Sequence, residues 1–261
     1  KHKDGEAPMF VIVWFPSPHD PHEELPDDPS LYEGEQAPGY YREITLLDQQ
    51  LGRLRQELRA MGIADNTLLW YCSDNGGLVA ETSGGRARKG SVYEGGLRVP
   101  MFIKWPKQLQ PGTRVRNPVA HIDLMPTLTA AADAEFPEGV EVDGVDILPL
   151  ATGRAGAAWG RKTLFWQSGY YRGVRHGDWK LQVSEDPKKD WLFNLAEDPT
   201  EQSNLADTEL EKLAELKALL AEHKASAREP LHPFVAEMPV AVDKTLAQPL
   251  VDGDEWIYWP N

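Results

Sequence analysis

Thr67-Leu68-Leu69-Trp70-Tyr71-Cys72-Ser73-Asp74-Asn75-Gly76-Gly77 is the stretch whose reading decides the fold. Its first half is apolar and partly β-branched and reads as a buried strand. Its second half breaks into a polar turn that ends in two glycines. An Asp beside an Asn at a strand end, with glycines freeing the backbone, aims two oxygen donors at a hard cation. Ligands of open α/β sheets gather outside the carboxyl ends of the strands, which is where this turn would lie.

Working outward, a basic group follows: Arg86, Arg88 and Lys89, then Gly90-Ser91-Val92-Tyr93-Glu94-Gly95-Gly96. Its glycines permit close approach to a ligand. A lysine ammonium can meet a tetrahedral oxyanion and offset charge on a leaving oxygen. A cation site and an anion site are therefore expected close together. Upstream, the continuous apolar run Met9-Phe10-Val11-Ile12-Val13-Trp14-Phe15 is expected to be a strand buried on both faces. Pro16 to His22 then forms a Pro-rich loop that holds His19, a residue type able to protonate a leaving alkoxide. Glu23 to Pro38 is expected to be a surface loop and a cleft wall.

Gly39 to Met61 has helical period, with Ile44, Leu47, Leu51, Leu54 and Leu58 on one face and Gly62 as its stop. Strand, helix and strand in that order predict a βαβ unit. Val99 to Pro106 reads as a further strand. His121 to Ala132 reads as a helix in which Asp123 is the N-cap and Pro126 sits in the first turn. After the Gly- and Pro-rich segment from Pro137 to Gly160, Thr163–Gln167, Tyr171–His176, Trp179–Ser184 and Trp191–Asn194 predict an antiparallel meander. Thr208 to Arg228 predicts an amphipathic helix opened by a Thr208–Glu211 capping box. From Pro230 on, the chain is expected to run along the surface, pinned by Trp256, Tyr258 and Trp259. The fold class is thus α/β: part of a large mixed sheet flanked by helices, then a small antiparallel sheet with one packed helix. The expected divisions are 1–155, 156–230 and an extended tail, 231–261.

A net charge of −14 argues against a broad nucleic-acid or anionic-membrane surface. No apolar run reaches the length of a membrane span. The single cysteine, Cys72, excludes an internal disulfide framework. Lys1-His2-Lys3 leads straight into a strand pattern with no initiating Met, so either the numbering begins inside a longer protein or the natural N-terminus was removed.

Pro18-His19-Asp20-Pro21, Ser73-Asp74-Asn75-Gly76, Lys89 to Pro100 as Lys-Gly-x-x-x-Glu-Gly-Gly-x-Arg-Val-Pro, and Asp123-x-x-Pro126-Thr127-Leu128 together resemble the sulfatase family. More closely, the pattern is similar to the arylsulfatase type within the alkaline-phosphatase-like superfamily. Val174 to Leu181 and Leu192 to Leu205 resemble that family's small C-terminal domain. The resemblance implies hydrolysis of a sulfate ester on a sulfated small molecule or carbohydrate. It implies Asp74 and Asn75 as ligands of a divalent cation, Ca²⁺ ahead of Mg²⁺, and Lys89 and His19 as sulfate-contacting residues. His19 doubles as acid to the leaving group. Glu94, Arg98, Asp123 and His121 become scaffold.

The family's nucleophile is a formylglycine made from Cys or Ser in Cys/Ser-x-Pro/Ala-x-Arg. Ser73, Asp74, Asn75 and Gly76 follow Cys72, so Cys72 does not match. The formylglycine is expected in an N-terminal part of the same protein, and this chain without it is expected to be inactive. Besides a proteolytic half that works only beside its N-terminal partner, two alternatives stand beside this reading. One is a phosphate or phosphonate esterase on the same scaffold. The other is a non-catalytic binder of sulfated glycans, with Trp70, Trp166 and Tyr170–Tyr171 as sugar platforms. Gln167 to Arg172 is the second candidate cleft rim. Export to the periplasm or outside the cell is what the family suggests.

Overall fold

The computed structural model describes residues 9–22, 31–78, 80–154, 159–229, 231–232, 237–245 and 248–260. Their contacts divide into two compact units. The first draws on residues 1–69, 103–115 and 128–140, and the second on 70–102, 116–127 and 141–261.

In the first unit, α1 runs Pro38–Ala60, with proline in its first turn, where no backbone donor is needed. It ends in a paired cap. Gly62 takes φ 73° and donates to Arg59 O, while Ile63 donates to Leu58 O. The apolar face is less covered than its period suggests. Leu47 is buried, but Ile44 and Leu54 are exposed. The Glu23–Pro38 loop falls partly outside the described residues.

Met9–Phe15 departs from expectation. It forms no strand, and its seven side chains are 46–88% exposed. A strand takes its backbone bonds from a neighbour, and among the described residues none pairs with this run. The βαβ unit that needed it as a first strand is not formed here. Of the expected large sheet, the described strands are β1 (Leu69–Cys72) and β2 (Met101–Lys104), which pair with each other.

The second unit is built on a meander: β2 is followed in the chain by β3 (Thr163–Ser168), β4 (Tyr171–His176), β5 (Trp179–Glu185) and β6 (Lys188–Asn194). They pair in sequence order, all antiparallel, with Val174 opposite Leu181 and Leu181 opposite Leu192. Side chains alternate between faces. Val174, Leu181 and Leu192 meet Leu216 and Leu220 of the helix Leu210–Ser226. Tyr171, Trp191 and Phe193 point the other way, onto Ala87, Val92, Tyr93, Val242 and Ile257. Each such buried side chain contributes on the order of 1.5–3 kcal/mol.

Three expectations are corrected within this unit. The helix Leu210–Ser226 starts without the Thr208–Glu211 box, because the Thr208 hydroxyl donates to Leu205 O instead. Asp123 does not cap the helix that follows it (Leu124–Ala131). Its carboxylate accepts from the Ala120 and Val145 amides and from Arg161, with no exposed surface. The C-terminal segment is not a surface strap. Glu237–Ala241 and Trp256–Pro260 form an antiparallel hairpin whose Val240, Ala241 and Ile257 are buried, because its apolar face has the meander's aromatic face to pack on.

Candidate active site

The turn after β1 presents the two expected cation ligands. Asp74 and Asn75 are both exposed, so their oxygens face solvent rather than core. The Ser73 hydroxyl donates to Asn75 O (2.9 Å), and Asn75 Nδ2 donates to Gly76 O (3.0 Å). The second bond uses the amide nitrogen and leaves the amide oxygen outside it. Carboxylate and amide oxygens suit Ca²⁺, which takes six to eight oxygens, so the pair fits as part of a ligand set. Among the described residues no group of three or more His, Cys, Asp or Glu gathers to complete one.

Backbone packing ties this turn to the Lys89 loop. Gly76 N–H donates to Gly96 O (2.9 Å), and Lys89 N–H donates to Gly77 O (3.0 Å). The approach is so close that a Cβ on Gly76 would lie 1.7 Å from Gly95 O. Glycine is required there by contact, not by φ. The Asp74–Asn75 turn and the Lys89 loop are therefore laced through their backbones. The Lys89 loop takes its shape from left-handed residues, among them Ala87 (φ 60°), a conformation costing an L-residue roughly 1–2 kcal/mol. The Ser83 hydroxyl holds it, donating to Ala87 O (2.8 Å).

The basic group beside Lys89 is not an anion site. Arg86 is committed to the C-terminal hairpin, with Nη2 2.6 Å from Asp243 and 2.5 Å from Glu255. Arg88 is buried and donates to Lys244 O. Both guanidiniums fasten the loop to the hairpin, and Lys89 beside them is half-buried.

Behind the loop lies a buried charged cluster that sequence reading did not find. Lys180 Nζ sits 2.8 Å from Glu94 Oε1 and 2.9 Å from Glu201 Oε1. Glu201 Oε2 accepts the Glu94 amide at 2.5 Å. Burial pushes the Glu201 carboxyl above the ordinary range, outweighing Lys180. Burial opposes the charged form of Glu94 too, but Lys180, then Arg175 and Arg98, hold it below that range. Glu94 is scaffold, as expected, with Lys180 as its principal partner.

His121, read from sequence only as scaffold, stands beside the Asp74 turn. Its Nε2 is 2.7 Å from Ser73 O. The Cys72 side chain, with Ser73 O and Asp74, moves its pKa up to about 8 against the effect of burial. Nothing in its sequence context marks that proximity. Tyr171, part of a candidate rim and sugar platform, is 2% exposed and packed edge-on to Trp191, so it is core. Tyr170 next to it is exposed.

His19 belongs to the first unit. It is exposed, with Nδ1 2.8 Å from Asp20 O and its amide donating to Pro16 O (3.0 Å). His22 accompanies it, with Nε2 2.9 Å from Pro18 O.

Solved structures share this arrangement of backbone. The crystal structure titled Ps i-CgsB superposes with a TM-score of 0.73 at 27% identity, over 83% of this chain and 50% of that one. BT4656, solved in complex with its substrate D-glucosamine-2-N,6-O-disulfate, gives 0.62 at 26% identity, over 72% and 40%. The fold is that of the alkaline-phosphatase-like superfamily. A sulfatase family profile spans residues 1–134, and that of the N-sulphoglucosamine sulphohydrolase C-terminal region spans 85–228. The chain belongs to the sulfatase family. Among curated relatives, steryl-sulfatase of Rattus norvegicus is 31% identical over 163 residues, covering 58% of this chain and 28% of its own length. Arylsulfatase A of Bos taurus is 33% identical over 195 residues, covering 62% and 38%. The chain thus spans well under half the length of these two relatives.

Proposed function

We propose that the full-length protein hydrolyses a sulfate ester and that this chain supplies Asp74, Asn75, Lys89 and His19 to the reaction. One observation carries the reading: the Asp74–Asn75 turn and the Lys89 loop are laced through Gly76–Gly96 and Lys89–Gly77 backbone bonds. Oxygen donors for a cation and an ammonium are thereby fixed on one framework, as stabilising a sulfate group requires. Family membership supports the same chemistry.

Ca²⁺, when bound, supplies positive charge against the sulfate oxygens, and Asp74 and Asn75 would hold it from one side. The formylglycine, expected in another part of the protein, would as its hydrate supply the attacking hydroxyl and would let the sulfate go by returning to the aldehyde, which water rehydrates. Lys89 directs its ammonium at the sulfate and its bridging oxygen. When the S–O bond to the alcohol breaks, the electron pair stays on that oxygen and His19 delivers the proton it takes up. Water is consumed, and free alcohol and inorganic sulfate are the products.

For the substrate, we read a sulfated carbohydrate. BT4656 was solved with a disulfated glucosamine, a Ps i-CgsB structure with neocarrahexaose, and an ulvan-active sulfatase of Formosa agariphila is 27% identical over 78% of this chain. The test is the full-length protein, produced with formylglycine maturation and Ca²⁺, on a chromogenic aryl sulfate and a panel of sulfated sugars. Release of chromophore or sulfate is the expected result. No release from any of them would overturn the reading.

A further inference from the structure

We propose that Glu201 is a positioning residue for the Lys89 loop, holding both of its ends so that Lys89 and the Asp74–Asn75 turn keep one geometry. The inference rests on the reading of those three residues as site residues.

Glu201 lies in the turn Asp198-Pro199-Thr200-Glu201, fully buried, at φ 56°. Four bonds converge on it. At the loop's end, its Oε2 accepts the Glu94 amide (2.5 Å). At the loop's start, its carbonyl accepts from Arg86 Nη1 (2.8 Å). On the sheet side, its Oε1 accepts from Lys180 Nζ (2.9 Å) and from Gln182 Nε2 (3.1 Å).

Glu94 and Arg86 are not remote from the site. Gly95, next to Glu94, donates to Arg86 O, closing the loop on itself, and Gly96 accepts the Gly76 amide of the cation turn. Glu201 is thus one bond from each end of the loop and two from the turn bearing Asp74 and Asn75. Lys180 and Gln182 lie on the meander face that carries Trp191 and Phe193, opposite them in register. The rigid sheet is therefore the reference against which the loop is set.

Stability alone is a poor explanation for this cluster. A buried ion pair gains little over apolar groups of the same volume, whereas it specifies one arrangement of its partners. The left-handed backbone of Glu201 adds a cost without relieving one. One bond from sheet to loop would anchor it; bonds to both ends fix its orientation.

The test uses the full-length protein as wild type, Glu201→Gln and Arg86→Lys. Arg86→Lys removes the bond to the Glu201 carbonyl and leaves the carboxylate cluster in place. It therefore carries the test if Glu201→Gln does not fold. Because Arg86→Lys also breaks the bridge to Asp243 and Glu255, exchange in 237–260 is followed beside it, and a loss in 86–97 no larger than the loss in 237–260 counts against the inference. Hydrogen exchange is followed on peptides covering 86–97 and 171–195, and kcat and KM are measured on an aryl sulfate. The expected result is exchange at least tenfold faster in 86–97 with 171–195 unchanged, and kcat reduced tenfold or more with KM within threefold. Protection of 86–97 that is unchanged, or that falls only in step with 171–195, would overturn the inference. Wild-type protein without turnover would overturn the functional reading instead, and the exchange data would still decide whether Glu201 holds the loop.

Discussion

The amide of Lys89 donates to the carbonyl of Gly77 at 3.0 Å, and beside it Gly76 lies against Gly95 with no room for a methyl group. Gly76→Ala therefore forces two backbones apart, since the nearest atoms are Gly95 O, Gly95 C and Gly96 Cα and no side chain can swing away. We expect a loss of about 1–3 kcal/mol in stability. Turnover of the full-length protein should fall further than its folded fraction. Gly52→Ala in α1 is the control. Nothing lies within 4 Å of a Cβ there, and a mid-helix Gly→Ala change should stabilise by roughly 0.5–1 kcal/mol. Thermal unfolding of both variants checks the pair. A Gly76→Ala protein as stable as wild type would show that the lacing is looser than described.

The meander was legible because each strand alternates and is bounded by its own punctuation: Gly169, Gly177 and Asp186-Pro187 separate four runs whose faces follow directly. α1 was legible through its period and Gly62. What could not be read was partnership at long range. Arg86 and Arg88 look like an anion site until Asp243 and Lys244, more than 150 residues on, are seen to hold them. Lys180 looks like an ordinary strand lysine until Glu94, 86 residues away, meets it. Met9–Phe15 has the composition of a buried strand, but composition does not supply the neighbour that makes one. In the candidate site the laced pair of loops was suggested by its glycines. The proximity of His121 was not, because a histidine beside a helix start carries no mark of what it faces.

Arg86 is expected to hold the hairpin. Its guanidinium bridges Asp243 and Glu255 and also reaches Glu201 O, while its ring-facing side lies 5.1 Å from the Tyr93 centroid. Truncation leaves Glu255 without one of its cations at a partly buried site. Arg86→Ala should cost about 1.5–3 kcal/mol, the range for hydrogen bonds to charged groups. Limited proteolysis should then cut within 237–260 before the meander, where wild type resists. Simultaneous loss of both regions would instead mean that the hairpin is integral to the sheet's own stability.

Acid should loosen the same contact. Burial opposes the charged form of Glu255, but hydrogen bonds from Lys189 and Trp191 and the field of Arg86 outweigh it, so its carboxyl titrates below the ordinary 4.5. A depressed folded-state pKa contributes stability that is present above 4.5 and is lost as pH falls through the lower value. Wild type should therefore exceed Glu255→Gln in thermal midpoint at neutral pH, and the gap should close as pH falls from 4.5 through the lower folded-state value. A gap independent of pH would assign the Glu255 contribution to packing rather than charge.

The helix packed on the meander offers a test of burial against period. Leu216 has no exposed surface and meets the Val174, Leu181 and Leu192 face, whereas Leu210, at the start of the same helix, is 64% exposed. Leu216→Ala should cost about 2–5 kcal/mol. Leu210→Ala should stay within about 0.5 kcal/mol of wild type. Denaturant midpoints with unchanged slopes would check both. Equal losses would mean that the helix start packs more closely than its exposure indicates.

Asp74 and Asn75 are two exposed oxygen donors, and Ca²⁺ takes six to eight, so the affinity of the complete site must come from donors assembled around these two. The chain by itself should bind Ca²⁺ no more tightly than about 10⁻³ M, the weak end of protein calcium sites. The full-length protein should bind it far more tightly. Within the full-length protein, Asp74→Ala with Asn75→Ala removes a charge and the two proposed ligands. Calorimetric titration should then show affinity reduced at least a hundredfold, while Asp254→Ala, a carboxylate paired with Lys244 in the C-terminal hairpin, should leave it unchanged. If the double variant binds Ca²⁺ as wild type does, the turn after β1 is only a turn, and the cation belongs to other residues.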